Sequence, residues 1–132
     1  MSGTPLYILL CSGEHEKVQM AAMMASVGAV SERPVEVFVS MNALFAFARD
    51  ALPEGRYRGG VFSQLLTEKH APDALTLFRQ GKELGDLKMW ACSMALDVRG
   101  WDMDRLVDEL FDGPLGLTKF LSDAEAGQLV TL

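Results

Sequence analysis

Unbroken apolar runs alternate along this chain with stretches whose apolar residues recur at helical spacing. Leu6-Tyr7-Ile8-Leu9-Leu10-Cys11 is continuous and stops at Ser12-Gly13, the pattern of a strand covered on both faces. From Glu14 to Gly28, Val18, Ala21, Ala22, Ala25 and Val27 form an inward stripe, while Glu14, Glu16 and Lys17 begin the exposed side. The two glutamates complement the positive end of a helix dipole, and Gly28 is the expected stop. Pro34 precedes the β-branched strand Val35–Val39. Ser40 then reads as the cap of a helix from Asn42 to Leu52, which Pro53 ends.

Residues 54–69 are the least regular. Gly55, Gly59 and Gly60 break any period, with room for a turn of helix over 61–66. A connection of that length is often a lid or an oligomer contact. Pro72 to Leu84 predicts a helix ending at Gly85, and Leu87 to Ala91 a third strand. Ser93 is the expected cap of a helical segment reaching Gly100. Asp102 caps a further helix, Met103 to Phe111. A strand of two or three residues fits within 112–116, a helix over Leu117 to Ala126, and a last strand over Gln128 to Leu132. The alternation predicts an α/β fold: a three-layer α/β/α sandwich on a mostly parallel sheet of about five strands. With no repeat or linker, a single domain over residues 1–132 is expected. Strand order does not follow from the sequence.

Composition narrows the function classes. An apolar fraction of 49% supports a large core, and the net charge is −6 with Lys and Arg scattered. No electrostatic footprint for nucleic acid results. No basic amphipathic helix is present, and no apolar run nears the ~20 residues that cross a bilayer. Two cysteines exclude a disulfide-stapled scaffold. Met1–Pro5 lacks the features of a signal peptide, so a cytoplasmic protein is expected.

The candidate chemistry is sulfur chemistry. Cys92 falls where the third strand stops, before a helix amino terminus. Backbone N–H groups and the helix dipole there favour a thiolate, so an apparent pKa below the model value of about 8.5 is expected. Ligands in open α/β sheets bind outside the carboxyl ends of strands, although a free cysteine also packs as a small hydrophobe. Cys11 ends the first strand on the same sheet edge, either as a buried thiol or as an accessory one. If strands one and three were neighbours, the two sulfurs would come within disulfide range.

His15 lies near that edge, either lowering a thiol pKa and shuttling a proton or sitting exposed in a first helical turn. His70 reads as solvated. Ser93 adjoins the thiol, while Trp90 reads as core and Trp101 as core or interface anchor. The zincin pattern begun by His15-Glu16 fails at Gln19, and there is no Cys/His cluster at metal spacing. Neither a phosphate loop nor a dinucleotide fingerprint occurs, so no cofactor or metal is expected.

Several of these segments together resemble the DsrE/DsrF-like sulfur-relay proteins. They are Leu9-Leu10-Cys11-Ser12-Gly13-Glu14-His15-Glu16-Lys17-Val18, the strand Pro34–Val39, and the tail from Gly116 to Leu132. Most specific is Lys88-Met89-Trp90-Ala91-Cys92-Ser93-Met94-Ala95-Leu96-Asp97-Val98-Arg99-Gly100. It is similar to the branch in which one cysteine precedes a Ser/Thr-Met pair. The resemblance implies a homotrimer or hexamer in which Cys92 carries sulfane sulfur as a persulfide. The sulfur would come from a rhodanese-like or small sulfur-carrier protein and pass to an acceptor protein. Two other readings stand beside it. One is an oligomeric binding module using the sheet-edge pocket for a small ligand or nucleotide. The other is a redox protein pairing Cys11 with Cys92.

Overall fold

The segments at 6–10, 35–39 and 87–92 become the three central strands of a five-stranded sheet. In the computed structural model, which describes residues 3–132, the strands are β1 (Leu6–Leu10), β2 (Val35–Val39), β3 (Leu87–Cys92), β4 (Gly113–Leu115) and β5 (Gln128–Thr131). All pair in parallel, in the order β4-β3-β2-β1-β5. Only a parallel arrangement covered on both faces explains unbroken runs such as Leu6–Leu10. Pro114 sits in β4, at the sheet edge, where its missing N–H costs no ladder bond.

The helices are α1 (His15–Val30), α2 (Pro53–Arg56), α3 (Val61–Glu68), α4 (Ala74–Leu84), α5 (Ser93–Arg99) and α6 (Leu117–Ala124), with 3-10 turns at Met41–Phe47 and Met103–Arg105. None is long and apolar enough to cross a membrane. α1 and α4 pack together over one face of the sheet. Gly28 of α1 sits directly over Leu6 and Val35, and Gly81 of α4 over Leu87. On the opposite face α6 inserts Phe120, stacked on Phe38 at 5.0 Å and edge-on to Tyr7 at 5.8 Å between centroids. The result is the expected three-layer α/β fold, with a sheet that is wholly rather than mostly parallel.

Two expected helices are largely absent, for one shared reason. The segment from Asn42 coils only to Phe47, and the one from Met103 only to Arg105. Beyond those points the two segments pair with each other. Ala48 bridges Leu106 antiparallel, the Arg49 N–H donates to the Arg105 carbonyl at 2.8 Å, and the Val107 N–H donates to the Phe47 carbonyl at 2.9 Å. Ala43, Leu44, Ala46, Phe47 and Ala48 are all buried, too dense a set for one helical stripe. Phe47 packs against Phe78 and Phe111, at 5.6 and 5.3 Å. The cap at Asp102 does form, accepting from the Asp104 N–H at 3.0 Å.

Residues 54–69, in contrast, hold α3 and most of α2. The β3 strand runs one residue further than its apolar run suggests, so Cys92 occupies the cap position of α5 and Ser93 is its first helical residue. Gly100 ends that helix with a left-handed φ of 75°, which favours glycine.

Because Phe120 is the fully buried side chain through which α6 seats on Phe38 and Tyr7, Phe120→Ala is expected to destabilise the fold by about 3–5 kcal/mol. Urea denaturation measures this. A loss within about 1 kcal/mol would mean that α6 does not close that face.

Candidate functional site

The strand register places three side chains in one row at the carboxyl end of the sheet. Leu10 pairs with Val39, and Val39 with Ala91, so the next residues, Cys11, Ser40 and Cys92, lie level. Alternation along each strand puts all three on the α6 side, with Phe38 and Trp90. Cys92 is 4% exposed and Cys11 is partly exposed. Burial pushes the Cys11 thiol up, and the nearby Cys92 adds to the effect. Ser40 is buried between them, its N–H donating to the Leu10 carbonyl at 2.9 Å.

Strands one and three are therefore not neighbours, and β2 separates the two cysteines. Two strand spacings come to about 9.6 Å between α-carbons, beyond the roughly 7 Å that a disulfide tolerates. Both cysteines are free.

His15 is not exposed. It is 6% accessible, stacked on Tyr57 at 4.4 Å with the rings within 5° of parallel, and its Nδ1 lies 2.7 Å from the Ser63 Oγ. Burial lowers its pKa from the ordinary 6.5, opposed by Glu16 and Asp73. The next residue, Glu16, is held below the ordinary carboxylate range first by its own backbone N–H and then by N–H groups of α3. Gly60 and Ser63 donate to its Oε2 at 2.9 and 3.2 Å. One carboxylate thus meets the amino termini of two helices, where the dipoles favour negative charge. Tyr57 donates to Asp73 at 3.0 Å, and burial keeps its phenol above the ordinary range. These polar contacts tie residues 57–73 to the start of α1.

Two openings border this tie. One, of about 300 Å3, is lined by His15, Gln19, Tyr57, Thr67, His70 and Asp73. His70 is solvated, as expected. The larger, about 860 Å3, is lined by Ser12, Gly13, Asn42, Phe45, Arg58 and Gly60, among others. It opens beside Cys11, and Cys92 is not among its described lining residues. Behind Phe45 lies Trp101, 8% exposed, with Arg99 and Arg105 over its ring at 5.0 and 5.5 Å. Trp90 is half-buried, and its Nε1 donates to Glu36 at 2.7 Å. Ser93 is half-buried beside Cys92.

The sequence alone did not point to Ser40, Tyr57, Arg58 or Ser63. Of these only Ser40 carried a local signal, as an expected cap. The others are brought in by contacts more than 40 residues away along the chain.

No protein-family model matches the chain, nor does any curated protein. Among solved structures, a protein of unknown function, MTH1491 from Methanobacterium thermoautotrophicum, has the same fold. The TM-score is 0.57 at 16% sequence identity, over 98% of this chain and 100% of that one. At that identity the likeness concerns the fold and not the reaction.

Two outcomes are expected. The unfolded chain protonates His15 at higher pH than the folded one, so the stability tied to this group is complete above 6.5 and falls as the pH drops below it. Urea midpoints should decline through that window, less so in His15→Gln, and an imidazole resonance titrating at or above 6.5 contradicts this. Separately, mild oxidation of the folded protein should give no Cys11–Cys92 disulfide. A peptide map containing that crosslink in native protein would show that the sheet edge rearranges.

Proposed function

We propose that this protein is a sulfur-relay protein, with Cys92 carrying sulfane sulfur as a persulfide between a donor and an acceptor protein. The observation that carries the reading is the place of Cys92: the last residue of a parallel strand and the cap of the helix that follows. The Lys88–Gly100 segment, which resembles the DsrE/DsrF-like proteins, contains that same strand–thiol–helix unit. Partners on this reading are a rhodanese-like or small sulfur-carrier donor and an acceptor thiol. The assembly is a homotrimer or hexamer, and the compartment the cytoplasm.

The chemistry needs no external oxidant. The Cys92 thiolate attacks the outer sulfur of the donor persulfide, that donor's S–S bond breaks, and the donor leaves as a thiolate. An acceptor thiolate then attacks the outer sulfur now on Cys92, and Cys92 departs as a thiolate in turn. Cys92 is 4% exposed as a residue, so it is shielded from stray thiols and each transfer requires a local opening of the chain around it. Cys11, Ser93 and His15 are accessory on this reading. Ser93 adjoins the thiol, Cys11 shares its level across the sheet, and His15 fixes the segment after β1.

Incubation with excess inorganic polysulfide, followed by intact-mass measurement, should show a gain of one sulfur atom. Cys92→Ser should abolish the gain, and Cys11→Ser should leave it. A chain that stays unmodified in donor excess, or one modified equally well in Cys92→Ser, removes Cys92 from the role.

A further inference from the structure

The larger cleft collects positive charge that an acidic chain gives no reason to expect. The sequence has 18 Asp and Glu against 12 Lys and Arg. Yet two arginines line this opening, with Glu14 as the one carboxylate among its described lining residues. Arg56 spends its guanidinium on the carbonyls of Ala46, Ala48 and Ala51, at 3.0, 2.8 and 3.1 Å. This staples the cleft wall and leaves the charge without a carboxylate. Arg58 holds the His15 N–H with its backbone carbonyl at 2.7 Å. Its exposed side chain makes no hydrogen bond or ion pair among the described residues. Arg99 is not among the described lining residues; it lies over the Trp101 ring at 5.0 Å and 5.8 Å from the centroid of Phe45. The other arginines of this end behave differently, with Arg49 on Asp108 and Arg105 near Asp50.

Phe45 supplies the apolar part. The residue is 47% exposed in the cleft wall, and its ring is held edge-on by Trp101 at 5.5 Å. Asn42 and Ser12 add amide and hydroxyl groups. A volume of about 860 Å3 is within the usual range for small-ligand sites, and its place beyond the carboxyl ends of β1 and β2 is where open α/β sheets bind ligands.

We propose that this cleft binds a small organic anion with a planar ring, the ring against Phe45 and the phosphate or carboxylate on Arg58. The planar guanidinium of Arg58 suits both anions, and a cation that makes no ion pair of its own in a concave site raises the local concentration of either. The proposal goes beyond the sulfur reading and does not depend on it, since Cys92 is outside the cleft lining.

Calorimetric titration of the intact chain at low salt tests it, with AMP as the phosphate probe and anthranilate as the carboxylate probe. Saturable binding of one probe identifies the anion class. The bound probe should exceed its uncharged counterpart, adenosine or aniline, by about tenfold in affinity, as expected for loss of a charge-assisted contact. Arg58→Gln keeps the backbone carbonyl that His15 uses, so the fold is retained, and it should weaken binding by a similar factor. Raising the salt should weaken it further. Absence of saturation with both probes at millimolar concentration overturns the proposal, as does equal affinity in Arg58→Gln. Sulfur uptake at Cys92 is read by mass on separate samples, so failure of either reading leaves the other standing.

Discussion

A parallel sheet must be covered on both faces, and this demand shapes the rest of the molecule. Its N–H and C=O groups are spent within the ladder, and its side chains point into two layers. One layer is closed by α1 and α4, which come close because Gly28 and Gly81 present no side chain to the strands. The other is covered by α6, which buries Ala124 and lays the Phe120 ring on Phe38 and Tyr7. Glu36, Lys88 and Trp90 share that second face and keep contact with solvent. A central apolar stack with a polar margin leaves the carboxyl ends of the strands as the place where the backbone must turn. Cys11, Ser40 and Cys92 stand at those turns.

The segment from Arg56 to Asp73 is attached differently. No residue of α3 is buried, and Val61, Phe62 and Leu65 face solvent. What fixes it is polar: Glu16 on the α3 amino terminus, Ser63 against His15, Tyr57 on Asp73, and Arg56 on three carbonyls. Such contacts depend on direction and on protonation state, whereas apolar packing depends on area. The walls of both openings are therefore set by hydrogen bonds near the start of α1. The main core is set by burial.

This division explains what was legible in the chain. The strand β1 could be read because a doubly covered strand is apolar at every position, as in Leu6–Leu10, and β2 and β3 because Glu36 and Lys88 are the one charged residue in each otherwise apolar run. The helix α1 could be read from Val18, Ala21, Ala22 and Ala25. Val27 instead faces solvent, and the helix runs through Gly28 to Val30 because that glycine packs on Leu6 and Val35. The segments after Ser40 and after Asp102 misled because their apolar spacing serves pairing with each other, between Ala48 and Leu106, and no local pattern announces a partner so distant. The same limit applied to His15. Its exposure depended on Tyr57 and Ser63, which glycine-rich sequence had made look like a loose connection. Cys92 was legible in position, from strand end and following helix. Its depth was not, since strand end and helix start alone do not set the 4% exposure of Cys92.

The level row of Cys11, Ser40 and Cys92 carries a further consequence for the sulfur reading. Two thiols on adjacent strands would compete, since a persulfide on one invites attack by the other and loss of the sulfur as the disulfide closes. With β2 between them the sulfurs sense each other's charge but are too far apart to bond. Burial raises the cost of ionising Cys11, and the nearby Cys92 acts in the same direction. Both effects lower the share of thiolate at Cys11 and so weaken it as a nucleophile. On the relay reading the intervening strand is what keeps a second cysteine compatible with a single carrier.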